Sequence, residues 1–120
     1  MNAAELHQKV HDGISASDVD ALVALYEPDA VLIAEDGSQA VGLDAIRSAF
    51  EATVPFGGTL TLHTRYVVEC GELALLSNEY AFSMLGYDAT WITAELARRQ
   101  PDGAWKYVID NPYAAPISTS

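Results

Sequence analysis

The chain has 120 residues, and its 17 acidic and six basic side chains give a formal net charge of -11. Such a charge repels phosphate backbones and anionic lipid surfaces, so it argues against a nucleic-acid-binding or membrane-binding protein. With 50% hydrophobic residues and one cysteine, we expect a single folded domain without an intramolecular disulfide. No segment approaches the ~20 apolar residues of a membrane span, which favours a soluble cytoplasmic protein.

Three helices are predicted in the first half of the chain. They span residues 3–16, 18–27 and 43–53, each with apolar residues at helical spacing. Ser17 is placed to cap the second helix. Pro28 should end that helix, because proline lacks an amide hydrogen and disfavours helical geometry in the residue before it. A strand over residues 30–34 then follows.

Alternating patterns in the second half predict an antiparallel meander. Its four strands cover residues 59–69, 73–84, 90–100 and 104–111, separated by glycine-containing turns. Helices followed by a sheet predict an α+β fold, in which three helices cover the concave face of a strongly bent, mainly antiparallel sheet. Residues 1–113 should form one domain, with residues 114–120 as an extended tail.

The predicted strands carry large side chains on both faces. In the strand over residues 59–69, alternation places Leu60, Leu62, Thr64, Tyr66 and Val68 on one side. In the next strand, Leu76, Asn78, Tyr80 and Phe82 share one side. In the last strand, Tyr107 and Ile109 lie opposite Val108 and Asp110. Helices can cover only one face, and the other is too apolar to remain in water. We therefore predict a homodimer formed through the outer face of the sheet.

The order of these elements, together with DVDALVALYEPDAV, GLDAIRSAF and DGAWKYVIDNPY, resembles the nuclear transport factor 2-like superfamily. This superfamily includes SnoaL-like and ketosteroid-isomerase-like proteins, and the resemblance extends from Leu6 to Tyr113. It implies a cone-shaped sheet closed by helices, commonly dimeric, with a pocket between sheet and helices. Because one fold hosts unrelated functions, the activity has to be argued from the pocket.

The resemblance does not imply steroid isomerisation. Ketosteroid isomerases use a carboxylate base and an oxyanion hole made by a tyrosine and a protonated aspartate, and these positions fall on Ala34, Val10 and Glu95. Two of the three groups are therefore missing. Asp36 could serve as the base after a small shift of the strand end, or Asp36 and Gly37 could form an ordinary turn.

The late strands supply the other candidates. The predicted pocket residues are Tyr26, Asn78, Tyr80, Phe82, Trp91, Thr93 and Val108. Glu95 is either a buried carboxyl group with a raised pKa, able to act as an acid or base, or a structural ion-pair partner of Arg98, Arg99 or a neighbouring strand. Asp110 either faces Glu95 as a carboxyl pair or forms an Asx turn before a proline.

These candidates leave two classes of function open. In the first, Glu95, Asp110 or Asp36 performs cofactor-independent acid/base chemistry on a small apolar carbonyl compound, as in an isomerase, cyclase or dehydratase. In the second, the chain is a non-catalytic binding or association module. His7 and His11 have the four-residue spacing of a helical metal site, but no third ligand lies near them in sequence, and we predict neither a metal nor a cofactor.

Overall fold

The computed structural model describes residues 2–117, apart from the side chain of Phe56, and has the predicted α+β class. Its helices are α1 (Glu5–Ser15), α2 (Val19–Val23) and α3 (Leu43–Glu51), and a short 3-10 turn covers Val54–Phe56. Its strands are β1 (Tyr26–Ile33), β2 (Gln39–Val41), β3 (Thr59–Cys70), β4 (Leu73–Met84), β5 (Tyr87–Arg99) and β6 (Trp105–Pro116). None of the helices within residues 2–117 is long and apolar enough to cross a membrane.

The six strands form one curved sheet in the order β2-β1-β6-β5-β4-β3. Only the β1–β6 pair among these neighbours is parallel; the other pairs are antiparallel. The helices pack on the inner, concave face of the sheet, where Leu6, Leu22, Ile46, Leu76 and Tyr107 are fully buried. Burying such side chains supplies the main driving force for this arrangement.

The second helix is shorter than predicted. It ends at Val23, so Tyr26 already belongs to β1 and Pro28 lies inside a strand rather than at a helix end. The pairing of β1 with β6 is irregular between Tyr26 and Val31, so the missing amide hydrogen of Pro28 is tolerated there. The predicted cap is also wrong by one residue: Asp18 caps the helix by accepting a 3.0 Å hydrogen bond from the amide of Ala21.

A bulge in β3 changes which side chains face inward. The pairing with β4 shifts between Thr64 and Tyr66, so one extra residue, Arg65, is inserted there. Thr64 lies opposite Asn78 on the inner face, whereas Tyr66 and Val68 follow on the outer face. The predicted uninterrupted alternation of this strand is therefore wrong beyond Thr64.

A second bulge, in β6, has the larger consequence for the pocket. Leu96 pairs with Ile109 but Ala97 pairs with Tyr107, so Val108 is the extra residue. Tyr107 and Asp110 therefore both face inward, although simple alternation places them on opposite faces.

The last strand also extends beyond its predicted end. It continues through residues 112–116, where Ala115 and Pro116 pair with β5. The first residues of the predicted tail thus belong to the sheet, while residues 118–120 lie outside the described part of the chain.

Candidate functional site

A cavity of about 490 Å³ lies between the helices and the inner face of the sheet. Of the predicted site residues, Tyr26, Asn78, Tyr80, Phe82, Thr93, Glu95 and Asp110 line it. Its volume falls in the range of small-molecule sites, roughly 300–1,000 Å³. The structure thus brings these side chains together, and their roles toward a ligand stay predictions.

Three predicted site residues lie elsewhere. Val108 does not line the cavity because it is the bulged residue of β6. Trp91 is on the inner face but packs edge-on against Tyr113, which lines the cavity in its place. Asp36 is exposed and accepts hydrogen bonds from the amide and hydroxyl of Ser38 at 2.9 and 2.7 Å. These contacts correspond to the ordinary turn that was the alternative to a base at this position.

Glu95 is a buried carboxyl group held by polar neighbours on the sheet. The hydroxyl of Thr93 lies 2.8 Å from both of its oxygens, and Asn78 Nδ2 donates to Oε1 at 3.4 Å. Arg98 and Arg99 do not pair with it, because they bind Glu27 and Glu72 on the surface. Burial, and then the nearby charge of Asp110, raise the pKa of Glu95 to about 8, so it is mostly protonated at neutral pH.

Asp110 lies directly across from Glu95 on the adjacent strand. Its Oδ2 accepts a 2.5 Å hydrogen bond from the hydroxyl of Tyr26. Burial raises the pKa of Asp110 to about 6, against the lowering effect of the Tyr26 hydroxyl. The Asx turn considered for this position is made instead by Asn111, whose side chain accepts the amide hydrogen of Tyr113 at 3.0 Å. Asp110 is therefore free to face the cavity.

His7 is a site residue that the sequence patterns did not assign to the pocket. Its side chain is buried, with Nδ1 3.2 Å from the hydroxyl of Thr64 and Nε2 3.9 Å from Glu95 Oε1. Burial lowers the pKa of His7 to about 4, so the ring is neutral at physiological pH. A signal was available in the sequence, since His7 shares the helical spacing of Val10 and Ile14, which also line the cavity.

The cavity entrance carries a further carboxylate, Glu35, which was not predicted as a site residue. It accepts a 3.3 Å hydrogen bond from the hydroxyl of Tyr87, and both residues line the cavity. No lysine or arginine is among the described residues that line it. With carboxyl groups at both ends and a neutral histidine, the cavity disfavours an anionic ligand.

The histidine pair considered as a metal site does not form one. His11 lies near Asp12 at the helix surface and lines an outer groove between α1 and β3 rather than the cavity. Within residues 2–117, no group of three or more histidine, cysteine or carboxylate side chains is arranged to hold a metal ion.

The comparisons with known proteins agree with this architecture. The sequence profile of the SnoaL-like domain matches residues 7–109, and no curated protein matches the chain. A nuclear transport factor 2-like protein of unknown function from Shewanella oneidensis is 18% identical, with a TM-score of 0.78 over 90% of this chain and 93% of the other. A ketosteroid isomerase-like protein from Erwinia carotovora atroseptica is 18% identical, with a TM-score of 0.75 over 90% and 89%.

A third solved structure comes from Nostoc punctiforme, a domain of unknown function with a cystatin-like fold. It is 15% identical, with a TM-score of 0.81 over 99% of this chain and 82% of that one. Structural similarity at such low sequence identity establishes only the fold, so the activity has to be argued from the residues of the site. Since the family profile covers most of its length, the chain belongs to the SnoaL-like domain family.

Proposed function

We propose that this protein is a cofactor-independent acid/base enzyme that acts on a small apolar carbonyl compound. The observation that carries the proposal is the pair of carboxyl groups, Glu95 and Asp110, on adjacent strands at an aromatic-walled cavity. Tyr26 packs at 5.9 Å from Phe50 and 5.3 Å from Tyr107 between ring centroids, which forms one of these walls.

The two carboxyl groups support different roles because their surroundings separate their pKa values. Asp110, the more acidic of the two, is ionised near neutrality and can remove a proton from the carbon next to a carbonyl. Glu95 is protonated over the same range and can donate a hydrogen bond to the carbonyl oxygen as negative charge develops on it. The low polarity around the pair strengthens this interaction.

Deuterium exchange tests the proposal without knowledge of the natural substrate. The protein is incubated with 1-tetralone in D2O, and loss of the α-proton signal is followed by NMR. We expect exchange above the buffer rate and a bell-shaped pH profile, because Asp110 must be ionised and Glu95 protonated. The limbs should fall near pH 6 and pH 8. No acceleration at any pH, despite binding of the ketone, favours the non-catalytic binding module instead.

We also propose that the protein is a homodimer through the outer sheet face. One row of aliphatic residues crosses all six strands on this face: Val41, Val31, Ile109, Leu96, Leu75 and Val68. Val41 and Val68 keep 60% and 55% of their surface exposed in the single chain. A second copy offers the same row, so the two can cover each other.

The dimer proposal predicts that Leu75→Glu gives a monomer. A buried, unpaired carboxylate within the row should weaken association by at least about a hundred-fold, which light scattering after size exclusion at micromolar concentration detects. Leu85→Glu is the matched control, because Leu85 is fully exposed at the β4–β5 turn and lies off the row. A monomeric wild-type protein, or equal effects of the two variants, contradicts the proposed interface.

A further inference from the structure

Two buried polar atoms in the cavity have no hydrogen-bond partner among the described residues. They are His7 Nε2 and Asn78 Oδ1, on residues that are 6% and 2% exposed. An unsatisfied buried polar group costs on the order of 1–3 kcal/mol, so native structures pair nearly all such groups with protein, ordered water or a ligand. Both residues are among those that line the cavity.

The two atoms flank the same carboxyl group. Glu95 Oε1 lies 3.9 Å from His7 Nε2, and it accepts the 3.4 Å hydrogen bond from the amide nitrogen of Asn78. That hydrogen bond fixes the orientation of the Asn78 amide and leaves its oxygen as an acceptor. A ligand group beside Glu95 must therefore donate a hydrogen bond to be matched by this end of the cavity.

We infer that the cavity selects a ligand bearing a hydroxyl group, which is bound beside Glu95 by His7 Nε2 and Asn78 Oδ1. With His7 Nδ1 accepting from the Thr64 hydroxyl, Nε2 carries the ring proton, so a ligand hydroxyl group can accept from Nε2 and donate its one proton to Asn78 Oδ1. A ketone oxygen cannot donate to Asn78 Oδ1, and an ammonium group cannot accept from His7 Nε2. A carboxylate is repelled by Asp110.

This inference rests on the proposed use of the cavity and narrows its substrate to a hydroxylated carbonyl compound. The His7 ring is held in place for such a role, because Nδ1 is already engaged by Thr64. Thr64 faces inward since it precedes the bulge in β3. The hydroxyl subsite thus depends on α1, β3 and β4 together, rather than on the carboxyl pair alone.

Calorimetric titration with compounds of one skeleton tests the inference. The probes are 1-tetralol, 1-methyltetralin, 1-tetralone, 1-aminotetralin and tetralin-1-carboxylate. We expect 1-tetralol to bind about ten-fold more tightly than 1-methyltetralin, the size of one well-placed hydrogen bond to an otherwise orphaned group. It should also bind more tightly than the ketone and the amine, and the carboxylate should bind least.

Variants assign the preference to the two side chains. His7→Leu and Asn78→Leu should each reduce the ten-fold advantage of 1-tetralol to less than about three-fold, whereas His11→Gln, on the same helix but outside the cavity, should leave it unchanged. NMR titration of the wild-type protein tests the same contact without a substitution. The imidazole 15N resonance of His7 should shift when 1-tetralol is added but not when 1-methyltetralin is added. His11→Gln and His63→Gln identify that resonance by elimination.

The outcomes separate the two proposals. Equal affinities for 1-tetralol and 1-methyltetralin, or tighter binding of the amine than of the alcohol, overturn the hydroxyl subsite while leaving a ligand-binding cavity intact. The hydroxyl subsite is also overturned if the His7 resonance does not shift when 1-tetralol is bound. If none of the five compounds binds, both the subsite and the proposed function are wrong.

Discussion

Replacing Asp110 with asparagine should slow the deuterium exchange of 1-tetralone by about 10²–10⁴-fold, the usual contribution of a positioned base. The amide oxygen of the introduced side chain can still accept the hydrogen bond from the Tyr26 hydroxyl, so the fold should persist, but an amide cannot take a proton from carbon. The effect should appear in the rate and only weakly in the affinity for the ketone, since the base acts in the transition state.

Asp36→Asn is the matched control for this prediction. Asp36 was the alternative base in the sequence interpretation, and the structure places it in an exposed turn outside the cavity. We expect this variant to exchange at the wild-type rate. Loss of exchange in Asp36→Asn together with retention in Asp110→Asn would reverse the assignment of the base.

Replacing Glu95 with glutamine should stabilise the protein at alkaline pH. The folded-state pKa of Glu95 is raised to about 8 from an ordinary value of 4.5, so the folded protein binds the proton more tightly than the unfolded chain. Wild-type stability therefore falls as the pH rises from the unfolded to the folded pKa, because ionisation is easier in the unfolded chain. Glutamine cannot ionise, which removes this loss.

The expected gain is on the order of 2–4 kcal/mol in the free energy of unfolding at about pH 9, and close to zero at about pH 4. Urea denaturation of both proteins across this range measures it. Glu72→Gln is the control, because Glu72 is exposed and its hydrogen bond to Arg99 lowers rather than raises its pKa. A gain that does not change with pH, or that is larger in acid, contradicts the buried neutral state of Glu95.

His7 should change stability with pH in the opposite direction and over a lower range. Its folded-state pKa is lowered from 6.5 to about 4. The stabilising contribution of the neutral ring is therefore fully present at pH values above the pKa that His7 has in the unfolded chain. That contribution is lost as the pH falls through this interval. Glu95→Gln should therefore remove the loss of stability that develops as the pH rises from 4.5 to about 8, and leave in place the loss that His7 causes as the pH falls.

The sequence predicted the fold well because its signals were local. The bounds of β4 were predicted correctly, and helical spacing located α1 and α3 to within a few residues. The sequence-based predictions were wrong where helical spacing and strand pairing favour different structures for the same residues. Apolar spacing extended the second helix to residue 27, yet the chain turns into β1 at Tyr26 because pairing with β6 outweighs the helical preference of so short a segment.

The candidate site was predicted less completely. Glu95 stood out as a charge within an apolar strand, and strand alternation correctly placed Asn78 and Thr93 beside it on the inner face. Tyr107 was missed and Val108 was included by error, because the bulge in β6 reverses the alternation between them. A bulge depends on the register between two strands, which alternation along one strand cannot report.

The sequence by itself determined the order of the three helices and the five longer strands, and the presence of an isolated acidic residue in a late strand. These follow from spacing and composition, which act between near neighbours in the chain. Only the tertiary structure decided that Tyr26 holds Asp110, that Asp110 faces Glu95, and that His7 approaches the same carboxyl group. These contacts join residues far apart in sequence, so they depend on strand register and helix packing across the whole domain.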